Sequence, residues 1–248
     1  MAKMNLSRPS CTLLIGITFL FLLFISACST QGDEESKESR KESPATDPVN
    51  IGGTYRSPLM NNPSTLDPAY VQDQYGLAVT RQLFDGLVKF GPDLMLLPAL
   101  AKTWQVEENG KAYRFFLRQD ARFHNSRPVT VHDVVFSLSR LLRVKPPPPI
   151  LPHLLKITGA RDFRNHETER LKGLYTINDQ ILLIRLDAPH VPFLTALGMY
   201  HAAIVPQEEV EKSGKIFAQN PVGSGPFRFV SWEKDKSKIG RASCRERV

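Results

Sequence analysis

The chain has 248 residues and a formal net charge of +7. A basic chain can indicate nucleic-acid binding, but two of these charges lie in the first 27 residues and two, net, in the last ten. Residues 28–238 therefore carry only +3. Within them basic residues alternate with acidic ones and do not cluster with aromatic ones, which argues against a nucleic-acid partner.

The chain begins with the pattern of a bacterial lipoprotein export signal. Lys3 and Arg8 precede an apolar run, Thr12–Ile25, that closes on Ile25-Ser26-Ala27-Cys28. The run is shorter than the roughly 20 residues that span a bilayer, and small residues precede the cysteine. We therefore predict that residues 1–27 are removed and that Cys28 carries the lipid. The alternatives are a plain signal peptide with an incidental cysteine, or an uncleaved signal anchor.

The predicted signal implies a place in the cell and a tether. A lipid on Cys28 would hold the protein on the periplasmic or cell-surface side of a bacterial membrane. Residues 28–48 contain no large apolar side chain and many charges, so they cannot bury enough surface to fold. We predict that they form a disordered tether. Because the other two cysteines fall in the signal and in the last ten residues, no disulfide framework or cysteine-based zinc site is expected.

The segments that follow alternate between strand and helix patterns. Val49–Arg56 is predicted to be a strand. Asp73 is predicted to cap a helix that runs to about Val88, because Val79, Leu83 and Leu87 recur at a spacing of four. Further on, the patterns predict two hairpins, one of Thr103–Val106 with Ala112–Leu117 around Asn109-Gly110 and one of Leu174–Ile177 with Ile181–Leu186. They also predict a helix capped by Thr130 and Asp133, and a short helix that starts at Pro192. This mixture predicts an α/β or α+β fold.

The last ten residues, 239–248, have a different character. Their sequence, IGRASCRERV, back-translates to a stretch that resembles a common short-read sequencing adapter. We therefore expect residues 239–248 to be a sequencing artefact, and a genuine basic tail is the alternative.

Motifs for catalysis are missing from the sequence. The Gly223-Ser224-Gly225-Pro226 segment lacks the Gly-Lys-Ser/Thr of a phosphate-binding loop, and its serine spacing is not that of a nucleophile elbow. The six histidines show no His-Glu-x-x-His spacing. We therefore expect no enzyme activity, no cofactor and no metal.

Six segments match the motifs of one family, in that family's order. They are Leu66-Asp67-Pro68, RQLFDGLV at 81–88, LPALAKTW at 97–104, GKAYRFFLR at 110–118, the FH…PVT…DVVFS signature within 123–137, and NPVGSGPF at 220–227. Through them, residues 50–233 resemble the family 5 solute-binding proteins of ATP-binding cassette (ABC) importers, which include peptide- and nickel-binding lipoproteins. Asn125-Ser126 replaces the family's usual Asp-Gly.

The resemblance implies a fold and a division into domains. The fold would be α/β and periplasmic-binding-protein-like, of type II and the large three-domain variety. Family members are longer than this chain, so the closing lobe would be missing. Residues 49–84 and 188–238 would form an incomplete lobe I, and residues 85–187 an inserted second domain.

The resemblance also implies a ligand and partners. The protein would be a monomer that captures oligopeptides or dipeptides, needs no cofactor, and delivers them to ABC permease and ATPase subunits. Ligand contacts would come from Val71, Gln72, Gln74 and Tyr75, just after Leu66-Asp67-Pro68. Nickel complexes, haem and oligosaccharides are alternative ligands, and a surface receptor or chaperone that reuses the fold is an alternative role.

Overall fold

The computed structural model describes residues 58–233 and the backbone of residues 237–242. Cys28, the predicted tether and the predicted strand Val49–Arg56 lie outside the described residues. The helices are α1 (Gln74–Leu83), α2 (Val131–Arg143), α3 (Leu151–Leu154), α4 (Ala160–Arg164), α5 (Pro192–Ala196) and α6 (Gln207–Ser213). The strands are β1 (Val88–Phe90), β2 (Leu96–Pro98), β3 (Ala101–Glu107), β4 (Ala112–Leu117), β5 (Leu174–Asn178), β6 (Ile181–Arg185), β7 (Phe227–Glu233) and β8 (Ser237–Ala242).

The two predicted hairpins combine into one antiparallel sheet. Its strand order is β3-β4-β6-β5, so β4 and β6 form the centre. Phe115 of β4 lies opposite Leu182 of β6, and both side chains are fully buried on one face. At the first turn the backbone φ is +54° at Asn109 and +87° at Gly110, conformations that Asn and Gly adopt at low cost. The turn residues therefore have the backbone that the sequence pattern predicted.

Helix α2 packs its apolar face into the same core as this sheet. Val131, Val134 and Leu138 lie in one hydrophobic cluster with Phe115 and Leu182. At the start of the helix, the Asp133 carboxylate accepts hydrogen bonds from the backbone N–H of Thr130 at 2.9 Å and from its hydroxyl at 3.1 Å. These bonds satisfy polar groups that would otherwise be left open at the helix terminus, which confirms the predicted cap.

Helix α1 begins where predicted but ends earlier. Asp73 caps it through a 2.7 Å bond from the N–H of Gly76. The predicted end near Val88 is wrong, because the helix stops at Leu83 and Val88 already belongs to β1. The carbonyl of Leu83 instead accepts the N–H of Gly225 at 3.0 Å. A hydrogen bond between residues more than 140 positions apart therefore ends the helix, although the helical spacing of apolar residues continues to about Val88.

Two hydrophobic clusters make up the described core. The larger one joins the four-stranded sheet to α2 and its neighbours. The second draws on residues before 85 and after 202, with Phe136 of α2 packed against it; its buried members are Leu66, Leu83, Phe84, Ala203, Val205, Val210 and Phe217. This division runs close to the predicted domain boundaries, which themselves stay a prediction. No helix within the described residues is both long and apolar enough to cross a bilayer.

Strands β7 and β8 form an antiparallel ribbon. Phe227 lies opposite Ala242 and Glu233 opposite Ser237, with a register shift between Phe229 and Ser231. The backbone of residues 239–242 thus pairs with β7, although these residues fall in the predicted sequencing artefact. The origin of that tail stays a prediction, because strand pairing does not reveal where a coding sequence came from.

Candidate ligand-binding site

The segment that holds the predicted ligand contacts starts with a buried ion pair. The Asp67 side chain is almost fully buried and accepts two hydrogen bonds from Arg140 of α2, at 2.8 and 2.5 Å. The Arg140 guanidinium also faces the Tyr70 ring at 5.5 Å. Bidentate pairs of this kind fix direction as well as distance. The start of the segment is therefore held against the second half of α2.

His201 holds the middle of the segment from a different element. Its Nε2 donates a hydrogen bond to the carbonyl oxygen of Val71 at 3.0 Å. The His201 side chain is 3% exposed, and no described residue forms a hydrogen bond with its buried Nδ1. Burial lowers the pKa of His201, although the bond to Val71 opposes this shift. His201 is therefore a neutral imidazole near neutral pH, with its proton on Nε2.

Asp73 lies near the end of the segment, residues 66–75, and caps α1. Its carboxylate accepts hydrogen bonds from the N–H and the hydroxyl of Ser64 and from the N–H of Gly76. Partial burial alone would raise the pKa of Asp73, but these hydrogen bonds outweigh burial and lower it. Asp73 is thus a firmly ionised cap that joins the chain before the segment to the helix after it.

The four predicted contact residues differ in their access to solvent. Gln72 and Gln74 are exposed and Tyr75 is half-buried. The Val71 side chain is 1% exposed, and its carbonyl is engaged by His201. The structure therefore brings Gln72, Gln74 and Tyr75 to the surface beside one another in the chain, while Val71 packs inward. Whether these residues touch a ligand stays a prediction.

A groove of about 410 Å³ opens next to this segment. Tyr70 forms one side, and the other lining residues include Phe136, Ser139, Arg140 and Arg143 of α2. None of the four predicted contact residues lines it. Arg140 of the ion pair thus lines the groove, whereas the exposed Gln72 and Gln74 do not.

Two residues that hold the segment were not found from the sequence. His201 is one of six histidines without a spacing motif, so no local signal marks it. Arg140 does have a signal, because Asp133, Ser137 and Arg140 recur at helical spacing and are all at least half-buried. Polar residues on a buried helix stripe require partners. Among the described residues, no group of three or more His, Cys, Asp or Glu side chains is placed to hold a metal ion.

Comparison with known families assigns this fold. Residues 96–241, more than half of the chain, match the model for bacterial extracellular solute-binding proteins, family 5 Middle. The chain belongs to this family. The match covers the four-stranded sheet, α2 and the ribbon of β7 and β8. It confirms the resemblance that the six sequence motifs predicted.

Individual solute-binding proteins of this kind are similar over most of the chain. The oligopeptide-binding protein OppA of Bacillus subtilis is 25% identical over 230 residues, which cover 90% of this chain and 41% of that protein. Heme-binding protein A of Haemophilus influenzae is 27% identical and covers 87% of this chain and 40% of its own. The chain thus spans about two fifths of the length of these relatives.

A solved structure agrees with the assignment. The crystal structure of Haemophilus influenzae OppA in complex with the peptide RPPGFSPFR has a TM-score of 0.65 and 26% sequence identity. The match covers 70% of this chain and 35% of that one. The described fold is therefore part of a type II periplasmic binding protein, as the motifs predicted.

Proposed function

We propose that this protein is a lipid-anchored binding protein that captures oligopeptides or dipeptides and delivers them to an ABC permease. Membership of family 5 supports this role, as does the similarity to a peptide-bound OppA. The observation that carries the proposal is the bracing of residues 66–75 by His201, Arg140 and Ser64. Rigid support of a segment with exposed polar side chains is what a binding surface requires.

The bracing has a physical consequence for affinity. A flexible segment must lose conformational freedom when a ligand binds, and this loss weakens binding. Here the backbone around Val71 is already held by one hydrogen bond and two carboxylate contacts, at Asp67 and Asp73. Most of this loss of conformational freedom therefore occurs when the protein folds, and a peptide would bind to a segment that is already ordered.

The exposed side chains suit an extended peptide. The amides of Gln72 and Gln74 can each donate and accept hydrogen bonds, so they can pair with either polar group of a peptide backbone. Recognition through backbone groups tolerates many side chains on the ligand. Because His201 already occupies the Val71 carbonyl, we propose that peptide contacts come from Gln72, Gln74 and Tyr75. Closure of a second lobe over the bound peptide would complete the trap.

Haem is the second candidate ligand. The similarity to Heme-binding protein A over 87% of this chain favours it. The same braced segment would then face a flat, largely apolar molecule, and the amides of Gln72 and Gln74 would reach only its carboxylate groups. A peptide would therefore require hydrogen bonds from this surface, whereas haem would require mainly apolar contacts.

Calorimetric titration separates these possibilities. The purified protein is titrated with a mixture of di- to pentapeptides and, separately, with haem. We expect peptide binding that weakens about tenfold in a Gln72→Ala, Gln74→Ala double variant. A Gln105→Ala variant, altered on the exposed edge strand β3, is the matched control and should bind as the parent does. Binding of haem but not of peptides, or equal peptide affinity in all three proteins, would contradict the proposal.

A further inference from the structure

The groove beside the Asp67–Arg140 ion pair holds a second guanidinium group, that of Arg143. Arg140 is paired with Asp67. Arg143 donates instead to two uncharged acceptors, the carbonyl oxygens of Phe163 and Thr168, each at 3.1 Å. Within the described part of the chain, no carboxylate forms an ion pair with Arg143 and no acidic residue lines the groove. The groove therefore favours a negatively charged ligand.

The guanidinium group of Arg143 keeps donors for such a ligand. It has five N–H bonds in one plane, and the bonds to the two carbonyls use one on Nε and one on Nη2. Three N–H bonds remain. The group also stacks on the Phe163 ring, with its central carbon 3.7 Å from the ring centroid, so its plane is held by the fold. A planar guanidinium group binds carboxylates through paired hydrogen bonds.

Two side-chain hydroxyl groups belong to residues that line the same groove. They are those of Tyr70 and of Ser139 on α2. Neither hydroxyl forms a hydrogen bond with any of the described residues. The Tyr70 ring is placed by the Arg140 guanidinium, which faces it at 5.5 Å. These hydroxyls can therefore donate to a ligand oxygen without breaking a bond within the described protein.

The other residues that line the groove are apolar. Phe136, Val144 and Phe163 contribute this surface, and the last two are 5% and 6% exposed. The volume of about 410 Å³ is typical of sites for small molecules, which combine apolar walls with a few polar groups. A small inorganic anion would leave this apolar surface in contact with water, whereas a ligand with an apolar body would cover it.

We propose that this groove binds a carboxylate attached to a compact apolar body, with the carboxylate on Arg143 and the hydroxyls of Tyr70 and Ser139. A free carboxylic acid has this chemistry, and so does the C-terminus of a peptide whose last residue is apolar. Gln72 and Gln74 do not line the groove. The site is therefore separate from the surface proposed above for peptide backbone contacts, and it does not rest on that proposed function.

Calorimetric titration with phenylacetate and with the neutral phenylacetamide tests the charge requirement. The two probes have nearly the same shape, and both are added at pH 7 to the purified full-length protein. We expect phenylacetate to bind with a dissociation constant on the order of 1 mM, as its small size allows. Phenylacetamide should bind about tenfold more weakly or not measurably. Equal affinity for the two probes, or no binding of phenylacetate, would overturn the proposal.

Substitutions then locate the site. Arg143→Gln should weaken phenylacetate binding about tenfold or more. Arg161→Gln is the matched control, because it removes an exposed guanidinium group of α4 that does not line the groove, and it should bind as the parent does. Arg143 also holds two backbone carbonyls, so a Tyr70→Phe, Ser139→Ala double variant provides a test that leaves these bonds intact. It should weaken binding about tenfold, the loss of two hydrogen bonds.

A second pair of probes identifies the source of the carboxylate. Binding of N-acetyl-alanyl-phenylalanine but not of its C-terminal amide would show that the groove accepts peptide C-termini, whereas binding of phenylacetate alone would restrict it to free acids. A Gln72→Ala, Gln74→Ala variant should bind phenylacetate as the parent does, so this test is independent of the proposed peptide capture. Parent-like phenylacetate affinity in the Tyr70→Phe, Ser139→Ala variant, or equal losses in Arg143→Gln and Arg161→Gln, would refute the assignment.

Discussion

The Nε2 of His201 donates a hydrogen bond to the carbonyl oxygen of Val71 at 3.0 Å, across 130 residues of sequence. Both side chains are almost completely buried. This bond joins the middle of a short 3₁₀ turn, Tyr200–Ala202, to the residues just before α1. It is therefore one of the contacts that place the predicted ligand segment on the body of the protein.

Removal of this imidazole should destabilise the fold. A His201→Ala variant leaves the buried Val71 carbonyl without its partner and opens a cavity. We expect the free energy of unfolding to fall by about 2–4 kcal/mol, measured by urea denaturation. The exposed His166 offers a control, since His166→Ala should stay within about 0.5 kcal/mol of the parent. Equal effects of the two substitutions would contradict the assigned role of His201.

The stability should also depend on pH through His201. Burial lowers its pKa below the ordinary value of 6.5, so the unfolded chain binds a proton more readily than the folded one. The free energy of unfolding should therefore fall as the pH drops below about 6.5 and level off once the folded His201 is also protonated. A His201→Asn variant cannot titrate, and its stability should fall less between pH 7 and pH 5. Parallel curves for the two proteins would exclude this contribution.

The Asp67–Arg140 ion pair supports the start of the same segment. An Arg140→Met variant leaves the carboxylate of Asp67, whose side chain is 5% exposed, without its counterion. We expect a loss of about 3–5 kcal/mol in urea denaturation. Asp67→Asn added to Arg140→Met removes the unpaired charge and keeps an oxygen for the N–H of Ala69. The double variant should thus recover most of the loss, and a loss as large as that of the single variant would refute the argument.

Gly223 is required by close packing of two backbones. A Cβ at this position would lie 1.9 Å from the carbonyl oxygen of Leu83. Backbone atoms cannot rotate away, so Gly223→Ala should cost about 3 kcal/mol or more. Gly110→Ala is the comparison, since its Cβ would meet nothing closer than 3.8 Å and only its φ of +87° opposes it. That variant should lose about 1–2 kcal/mol, and thermal unfolding would distinguish the two.

Lipid attachment at Cys28 can be tested against another cysteine of the leader. Cells that express the protein are labelled with radioactive palmitate. Cys28→Ala should abolish incorporation, because the thiol is the predicted point of acylation. Cys11→Ala alters a cysteine inside the predicted signal and should leave the label unchanged. Absence of label in the parent protein would favour a plain signal peptide or a signal anchor, and label that survives Cys28→Ala would contradict acylation at this thiol.

Local patterns were sufficient for most of the secondary structure. The caps at Asp73 and Thr130 and the helix start at Pro192 involve residues within four positions of one another, and the two hairpins pair residues no more than 16 positions apart. Interactions of that range leave a periodic trace in the sequence. The family motifs added what periodicity cannot, because they record the order of elements as well as their type.

The sequence by itself determined the family, the hairpins and the start of each predicted helix. Only the tertiary structure decided that α1 stops at Leu83, because the Leu83 carbonyl accepts its hydrogen bond from the N–H of Gly225. It also decided that Val71 packs inward while Gln72 faces solvent, and that His201 is the partner of the Val71 carbonyl. These contacts join residues more than 100 positions apart, and a local pattern carries no information about such a distant partner.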